Sequence, residues 1–453
     1  SSTSSLIDPS IGVEAADDSS CDVSCRPHGV CRSGACVCAA AWEGAQCEQP
    51  RKLPGGLYSR FDGQFILNQA HVEEMGGVHF TTNPKAGDGF EHRTHTVFAP
   101  LVSDRPGFMS HFDRITREGF EFDPSKAMLT RELIKLLPAE DTLKETLFMS
   151  CAVVGNSGLS MVYEDGALID AHDAVIRFNA APTRPRDRGG QNYKADLEAE
   201  FHRHVGTRTT FRFINTQHIA WHEGDEMRVQ QMQSKTGLFR YLQHVHYNNR
   251  APLFAFDTDF TAYVSSNTEN LPTSGFFALL LALHKCVKVS LFGFHWRPGH
   301  AIPHHYFNSE EPRSGKNSIH DYEAEAETIK ELARLGRIEL AQPCVMGCEA
   351  ETGIPCKRCP AGSTCACGDA LPTPMALPGF CRARRNHTCF YRCPEGVACP
   401  GGPNHSRCPR EFEPGPAQPC ATAAVAAHAR TGGSSKPPLW AAKKTKLWRA
   451  KKS

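Results

Sequence analysis

Three places in the chain carry residue types and spacings suited to chemistry on a nucleotide or an anion. The first is Gly155-Asn156-Ser157-Gly158, a glycine-bracketed turn after the apolar run 152–154. Little side chain stands between that backbone and a ligand. The second is Thr273-Ser274-Gly275, ahead of a stretch, 276–284, that is apolar nearly all round. Thr273 or Ser274 suits an N-cap, the stretch reads as a buried helix, and the free amides and positive dipole end at its start suit an anion. The third is Asp257-Thr258-Asp259, an Asp-x-Asp pair of the kind that can hold a divalent ion on a nucleotide diphosphate. Each has a plainer meaning. Any α/β protein has glycine turns, an apolar run is more often a core helix, and Asp-x-Asp pairs are common by chance. Nor can residue type alone single out one histidine among 22.

An open α/β sheet is the frame that would position these residues. Residues 152–154 read as a buried strand, a polar helical segment follows the turn, and residues 174–178 read as a second strand ending at Asn179. Strand, glycine turn, helix and strand form the unit with which such sheets bind nucleotides at the carboxyl ends of their strands. Residues 287–294 read as the strand returning from the apolar helix. The expected fold class is therefore α/β, with a Rossmann-like nucleotide-binding domain flanked by small disulfide-rich modules.

With 453 residues the chain is long enough for several domains, and its net charge of +1 points to neither nucleic acid nor a membrane surface as partner. Its 20 cysteines fall in three groups: six at 21–47, two isolated at Cys151 and Cys286, and twelve at 344–420. Such density predicts an oxidised, secretory-pathway protein, and the sequons at Asn386 and Asn404 agree as glycosylation sites. No apolar stretch is long enough to cross a bilayer. The chain starts at Ser1 without methionine, so an amino-terminal signal anchor is expected in a longer form.

The composition divides the chain into a flexible stem (1–20), a cysteine module (21–49), a stem and lead-in (50–150), a larger central domain (151–343), a Cys-rich module (344–420) and a disordered basic tail (421–453). Within the lead-in, residues 128–137 carry helical spacing. The two flanking modules read as independent units, so residues 51–343 are expected to keep whatever chemistry the chain performs. The twelve late cysteines are expected to pair as disulfides, with their connectivity open.

Residues 151–183 resemble the long sialylmotif of the animal-type sialyltransferases, glycosyltransferase family 29, almost end to end. Val205-Gly206-Thr207-Arg208-Thr209-Thr210 is similar to a further family segment, reached here through a longer loop. Residues 271–275 with the helix and strand behind them resemble the short motif, and His304-His305-Tyr306-Phe307 the third, with Phe307 where family members usually have Tyr or Trp. His320 followed by Glu325 matches the very short motif. All four stand in family order.

The resemblance implies an inverting transfer of sialic acid, or a related keto-sugar acid, from its CMP ester to a hydroxyl on the glycan of a glycoprotein or glycolipid. It implies a GT-A-like variant of the Rossmann-like fold, no cofactor, since the CMP-sugar is a substrate, and no metal. It assigns donor contacts to Asn156, Ser157, Asn179, Thr273, Ser274, Gly275 and Tyr306. His305 meets the leaving phosphate, His320 is the general base, and Glu325 supports it. It also implies a Cys151–Cys286 disulfide and residence in the Golgi lumen as a type II membrane protein, with a secreted form as the alternative. Two other functions stay open: transfer from CMP-Kdo, and a catalytically silent extracellular binding protein. Residues 21–47, with Trp42 and Gly44 before the last cysteine, resemble an EGF-like module, which implies Cys21–Cys31, Cys25–Cys36 and Cys38–Cys47.

Overall fold

In the computed structural model of the chain the described residues are 21, 24–54, 57, 60–82, 95–104, 128–184, 198–247, 252–294, 302–308 and 320–341, with the backbone of short strands between 345 and 392. They divide into two compact units. The first comprises the chain up to Asn156, Asp165–Trp296 and Arg313–Ala341; the second comprises Ser157–Glu164, Arg297–Pro312 and the chain from Gln342. The sequons at Asn386 and Asn404, the stem and the basic tail lie outside the described residues.

The first unit opens with the six-cysteine module. Its strands β1 (Gly29–Arg32) and β2 (Ala35–Cys38) pair antiparallel, as do β3 (Trp42–Glu43) and β4 (Gln49–Pro50). The three bridges Cys21–Cys31, Cys25–Cys36 and Cys38–Cys47 are all present. Helix α1 (Gln69–Glu74) follows, then β5 (Gly77–Thr82), β6 (His95–Val102), β7 (Leu129–Thr130) and the short helix α2 (Arg131–Ile134). The helical spacing over 128–137 thus yields one strand step and one helical turn.

The core of this unit is a seven-stranded parallel sheet. Its strands in chain order are β8 (Phe148–Val154), β9 (Ala174–Phe178), β10 (Phe211–Ile214), β11 (Met227–Gln230), β12 (Leu253–Ala255), β13 (Cys286–Phe292) and β14 (Glu339–Leu340). Spatially they run β12-β11-β10-β9-β8-β13-β14, every pairing parallel. Their side chains are almost all buried, as expected of strands covered on both faces. The intervening helices are α3 (Gly166–Asp170), α4 (Glu198–Val205), α5 (Lys235–Tyr247), α6 (Thr258–Ser266), α7 (Ser274–Lys285) and α8 (Tyr322–Arg334).

The chain steps outward from β8 to β12, then returns to the other side of β8 with β13. Strand order therefore reverses between β8 and β13, and ligands of open α/β sheets bind outside the carboxyl ends of strands at such a point. Here the two strand ends close on each other. The Gly155 N–H donates to the Phe292 carbonyl at 2.7 Å, and a Cβ on Gly155 would stand 2.4 Å from the Gly293 carbonyl oxygen. Only glycine fits. Cys151, midway along β8, is bridged by a disulfide to Cys286 at the α7–β13 junction.

Two expectations about boundaries change. Residues read as stem and lead-in pack into the same unit as the sheet: Leu67, Val72, Val78, Phe80 and Leu133 are buried in one cluster with Leu238, Phe239 and Leu253. Nor is the six-cysteine module a free-standing spacer. Trp42 is 2% exposed, and Ala40 and Ala41 donate their N–H groups to the carbonyls of Cys286 and Leu283, at 2.8 and 2.7 Å. The Trp42 indole donates to Nδ1 of the buried His284 at 3.2 Å. An indole can only donate, so Nδ1 holds the lone pair and Nε2–H faces the Tyr263 hydroxyl, at 3.0 Å. Burial, and then the nearby Lys285 charge, push His284 down to about 3, consistent with that neutral tautomer. A module of this size has too little core of its own, and it shares the core of the larger domain.

Candidate functional site

Asn156 sits directly after β8, beyond Gly155. Its Oδ1 is buried and has no hydrogen-bond partner among the described residues, an unusual state for a buried acceptor. Asn179, one residue past β9, adopts the left-handed conformation with φ +47°. Its N–H donates to the Phe213 carbonyl at 2.8 Å and its Oδ1 accepts from the Asn215 N–H at 3.0 Å.

Thr273 caps α7, its hydroxyl accepting the Phe276 N–H at 3.1 Å. From Phe276 to Lys285 the helix is buried, so its apolar faces hold its start in place, each large side chain contributing roughly 2 kcal/mol. Gly275 is confined by Phe294, whose ring a Cβ would approach to 2.9 Å. The Ser274 hydroxyl donates to Gln231 Oε1 at 3.1 Å, while Gln231 Nε2 is buried without a partner among the described residues. Gln231 lies just past β11, and its type and spacing gave no signal.

The segment carrying His320 and Glu325 grips the segment before α7 at two points. The His320 Nδ1 lies 2.6 Å from the Leu271 carbonyl oxygen. A carbonyl only accepts, so Nδ1 carries the proton and the neutral ring keeps its lone pair on Nε2. Burial lowers the His320 pKa, a shift only partly countered by that hydrogen bond. Glu325 accepts from the Thr273 N–H at 2.7 Å and from its hydroxyl at 2.5 Å. Burial pushes its carboxyl up to about 7 against those two bonds. The α8 helix that carries Glu325 is capped by Asp321, whose side chain accepts the Ala324 N–H, and its C-terminal turn is left through Gly336 at φ +67°.

In the second unit, Ser157 caps a short 3-10 turn (Gly158–Val162) by accepting the Leu159 N–H. The Gly158 N–H donates to the Pro303 carbonyl at 3.0 Å, which holds the turn against the third-motif segment. His305 stacks on Phe307 with ring centroids 5.0 Å apart, and its Nδ1 lies 3.1 Å from Asn308 Nδ2. Tyr306 is buried. The Phe307 ring, where the family usually has Tyr or Trp, thus serves as a stacking surface for His305.

The Asp257-Thr258-Asp259 pair has local partners. Asp257 caps α6 through Oδ1, and its Oδ2 lies 2.9 Å from His71 Nδ1. His71 Nε2 is 3.5 Å from Asp259 Oδ2, and the hydrogen bond to Asp257 raises the His71 pKa. His71 thus bridges the two carboxylates and ties α1 to the start of α6.

Comparison with known proteins places this arrangement. The model of "Glycosyltransferase family 29 (sialyltransferase)" matches residues 109–246 and 225–337, just over half of the chain. The chain belongs to glycosyltransferase family 29. A Teneurin-like EGF domain model matches residues 21–50. Among its relatives, the bovine (Bos taurus) beta-galactoside alpha-2,6-sialyltransferase 2 is 29% identical over 211 residues, 40% of this chain and 39% of the relative. The pig (Sus scrofa) CMP-N-acetylneuraminate-beta-galactosamide-alpha-2,3-sialyltransferase 1 is 26% identical over 243 residues, 46% of this chain and 64% of the relative. The matches therefore span less than two thirds of either relative. A crystal structure of a mammalian sialyltransferase aligns over 52% of this chain and 85% of its own at 23% identity and a TM-score of 0.36. No helix among the described residues is long and apolar enough to cross a membrane.

Proposed function

We propose that this chain transfers sialic acid from CMP-sialic acid to a hydroxyl of an acceptor glycan, with inversion at the anomeric carbon and no metal-dependent step. The sheet then acts as a Rossmann-like, GT-A-like nucleotide frame. The relatives, named for a beta-galactoside and a beta-galactosamide, support a glycan acceptor, and the disulfides support an oxidising compartment such as the Golgi lumen.

The observation that carries the reading is the double grip of the 320–325 segment on the 271–273 segment. It fixes a half-buried imidazole, with its lone pair on Nε2, to the entrance of α7. Burial keeps that ring neutral near pH 7, the form a general base needs. In the proposed reaction the bond from the anomeric carbon to the phosphate oxygen breaks and its electron pair leaves with CMP. The acceptor oxygen bonds to the opposite face of that carbon, and its proton passes to His320 Nε2. Asn156, Ser157 and Asn179 hold the nucleotide, the α7 start with Thr273, Ser274 and Gly275 holds the acid, and His305 with Tyr306 serves the departing phosphate.

Replacing His320 by Ala should cost about 10²–10⁴-fold in turnover and leave CMP binding nearly unchanged. His305→Ala should weaken both donor binding and rate. Full turnover in His320→Ala, measured as transfer of labelled sialic acid from its CMP ester, would remove the general-base role. Activity that disappears on chelation and returns with a divalent ion would overturn the metal-free step.

A further inference from the structure

A buried cluster of charge behind Asn179 has no part in the reaction steps above. Arg177, Arg212 and Arg228 stand side by side in register on β9, β10 and β11, and Arg177, Arg212 and Arg228 are 0%, 0% and 2% exposed. All three guanidinium nitrogens of Arg212 are engaged. Its Nε donates to Glu226 Oε1 at 2.9 Å, its Nη2 to Glu223 Oε2 at 2.9 Å, and its Nη1 to the carbonyls of Asn179 and Ala181 at 3.0 and 2.8 Å. Glu223 reaches the same turn from its own side. Its carboxylate accepts the Thr183 N–H at 3.0 Å, the Thr183 hydroxyl at 3.2 Å and the Arg184 N–H at 3.3 Å. Glu226 in turn fixes the backbone N–H groups of Glu223 and Gly224.

Burying an arginine with two carboxylates gives little net stability compared with an apolar core. The cluster does, however, determine geometry. Left-handed backbone at Asn179 is uncommon for a residue other than glycine, and here its carbonyl is held by Arg212, its N–H by Phe213 and its Oδ1 by Asn215. With these three groups engaged, the side-chain NH₂ is the remaining donor of Asn179.

We propose that Arg212 and Glu223 are positioning residues for donor binding: a buried guanidinium–carboxylate clamp that sets the Asn179 amide toward the nucleotide. This rests on the reading that Asn179 contacts a CMP-linked donor. The clamp acts through Asn179 and does not touch the reacting atoms, so weakening it should raise the Kd for CMP and the KM for the CMP-sugar, with kcat at saturating donor little changed.

The test is a double-mutant cycle on the full chain, with CMP as the calorimetric ligand, donor kinetics alongside, and a thermal melt of each variant. Glu223→Gln and Asn179→Ala should each weaken CMP binding by about tenfold, the size of one lost hydrogen bond to or near a charged group. The double variant should be no weaker than Asn179→Ala alone, because both changes remove the same contact. Arg212→Lys, which keeps the charge but not the fork, should resemble Glu223→Gln; if it fails to fold, the Glu223 cycle decides. Unchanged CMP affinity in folded Glu223→Gln, or fully additive losses in the double variant, would overturn the clamp alone. A wild-type chain that binds no CMP would overturn the donor reading and the clamp with it.

Discussion

Glu325 accepts both hydrogens that Thr273 can offer, from its backbone N–H at 2.7 Å and from its hydroxyl at 2.5 Å. The residue that starts α7 is thereby fixed by the first turn of α8, 52 positions on. The same hydroxyl accepts the Phe276 N–H, so the N-cap, the carboxylate and the helix start form one continuous hydrogen-bonded unit.

This contact should be visible as a pH dependence of stability. Burial raises the Glu325 carboxyl from 4.5 to about 7, so the folded state binds a proton that the unfolded state releases. The associated stability is fully present below about pH 4.5 and is lost as pH rises through about 7. Between those limits the wild-type chain should lose up to roughly 3 kcal/mol relative to Glu325→Gln. Denaturant unfolding of both proteins at pH 5 and pH 8 measures this, and an equal response of the two would refute the buried-acid reading.

His284 should add the opposite slope at lower pH. Its folded value near 3 lies below its ordinary 6.5, so stability is present above 6.5 and is lost as pH falls toward 3. His284→Gln should flatten acid unfolding in that range. The same loss of stability on acidification in the variant would assign it to other groups.

The docked EGF-like module predicts that it cannot be cut away cleanly. Trp42→Ala removes a buried indole and leaves His284 Nδ1 unpaired; the cost should be about 3–5 kcal/mol. A chain lacking residues 1–50 should melt earlier still, or not fold. A truncated chain with the melting temperature of the full one would restore the independent-module expectation.

Removing the Cys151–Cys286 bridge frees a loop with a sequence separation of 135. The chain-entropy relation gives about 5 kcal/mol as an upper value, so a Cys151→Ala/Cys286→Ala double variant should melt on the order of 10 °C lower. Peptide mapping without reduction that recovers either cysteine as a free thiol would contradict the bridge itself.

Gly155→Ala probes the strand crossing. The added methyl meets the Gly293 carbonyl at 2.4 Å, and since backbone cannot swing aside, β8 and β13 must separate. A cost of roughly 1–3 kcal/mol together with weaker CMP binding is expected. Wild-type behaviour in both would mean that the two strand ends are not packed as described.

The sequence by itself determined the elements and the covalent frame. The apolar run 152–154 and the largely apolar stretch 287–292, broken by Lys288 and Ser290, read as strands, and the glycine turn after the first marks a close backbone approach. The EGF-like spacing carried its three pairings through family resemblance, and two cysteines isolated in the catalytic region were left to meet each other. The four motifs supplied His305, His320, Asn156 and Asn179 in the same way. Tertiary structure decided what depends on neighbours distant in the chain. A tryptophan at position 42 reads the same whether it faces solvent or the His284 ring. Glu223, Glu226 and Arg212 read as ordinary surface charge until parallel pairing buries them behind Asn179. For His320 the sequence held opposing terms, a helix dipole against Asp321, Glu323 and Glu325. The fold resolved them through burial and a hydrogen bond to Leu271, because desolvation depends on what packs around a ring and not on its sequence neighbours.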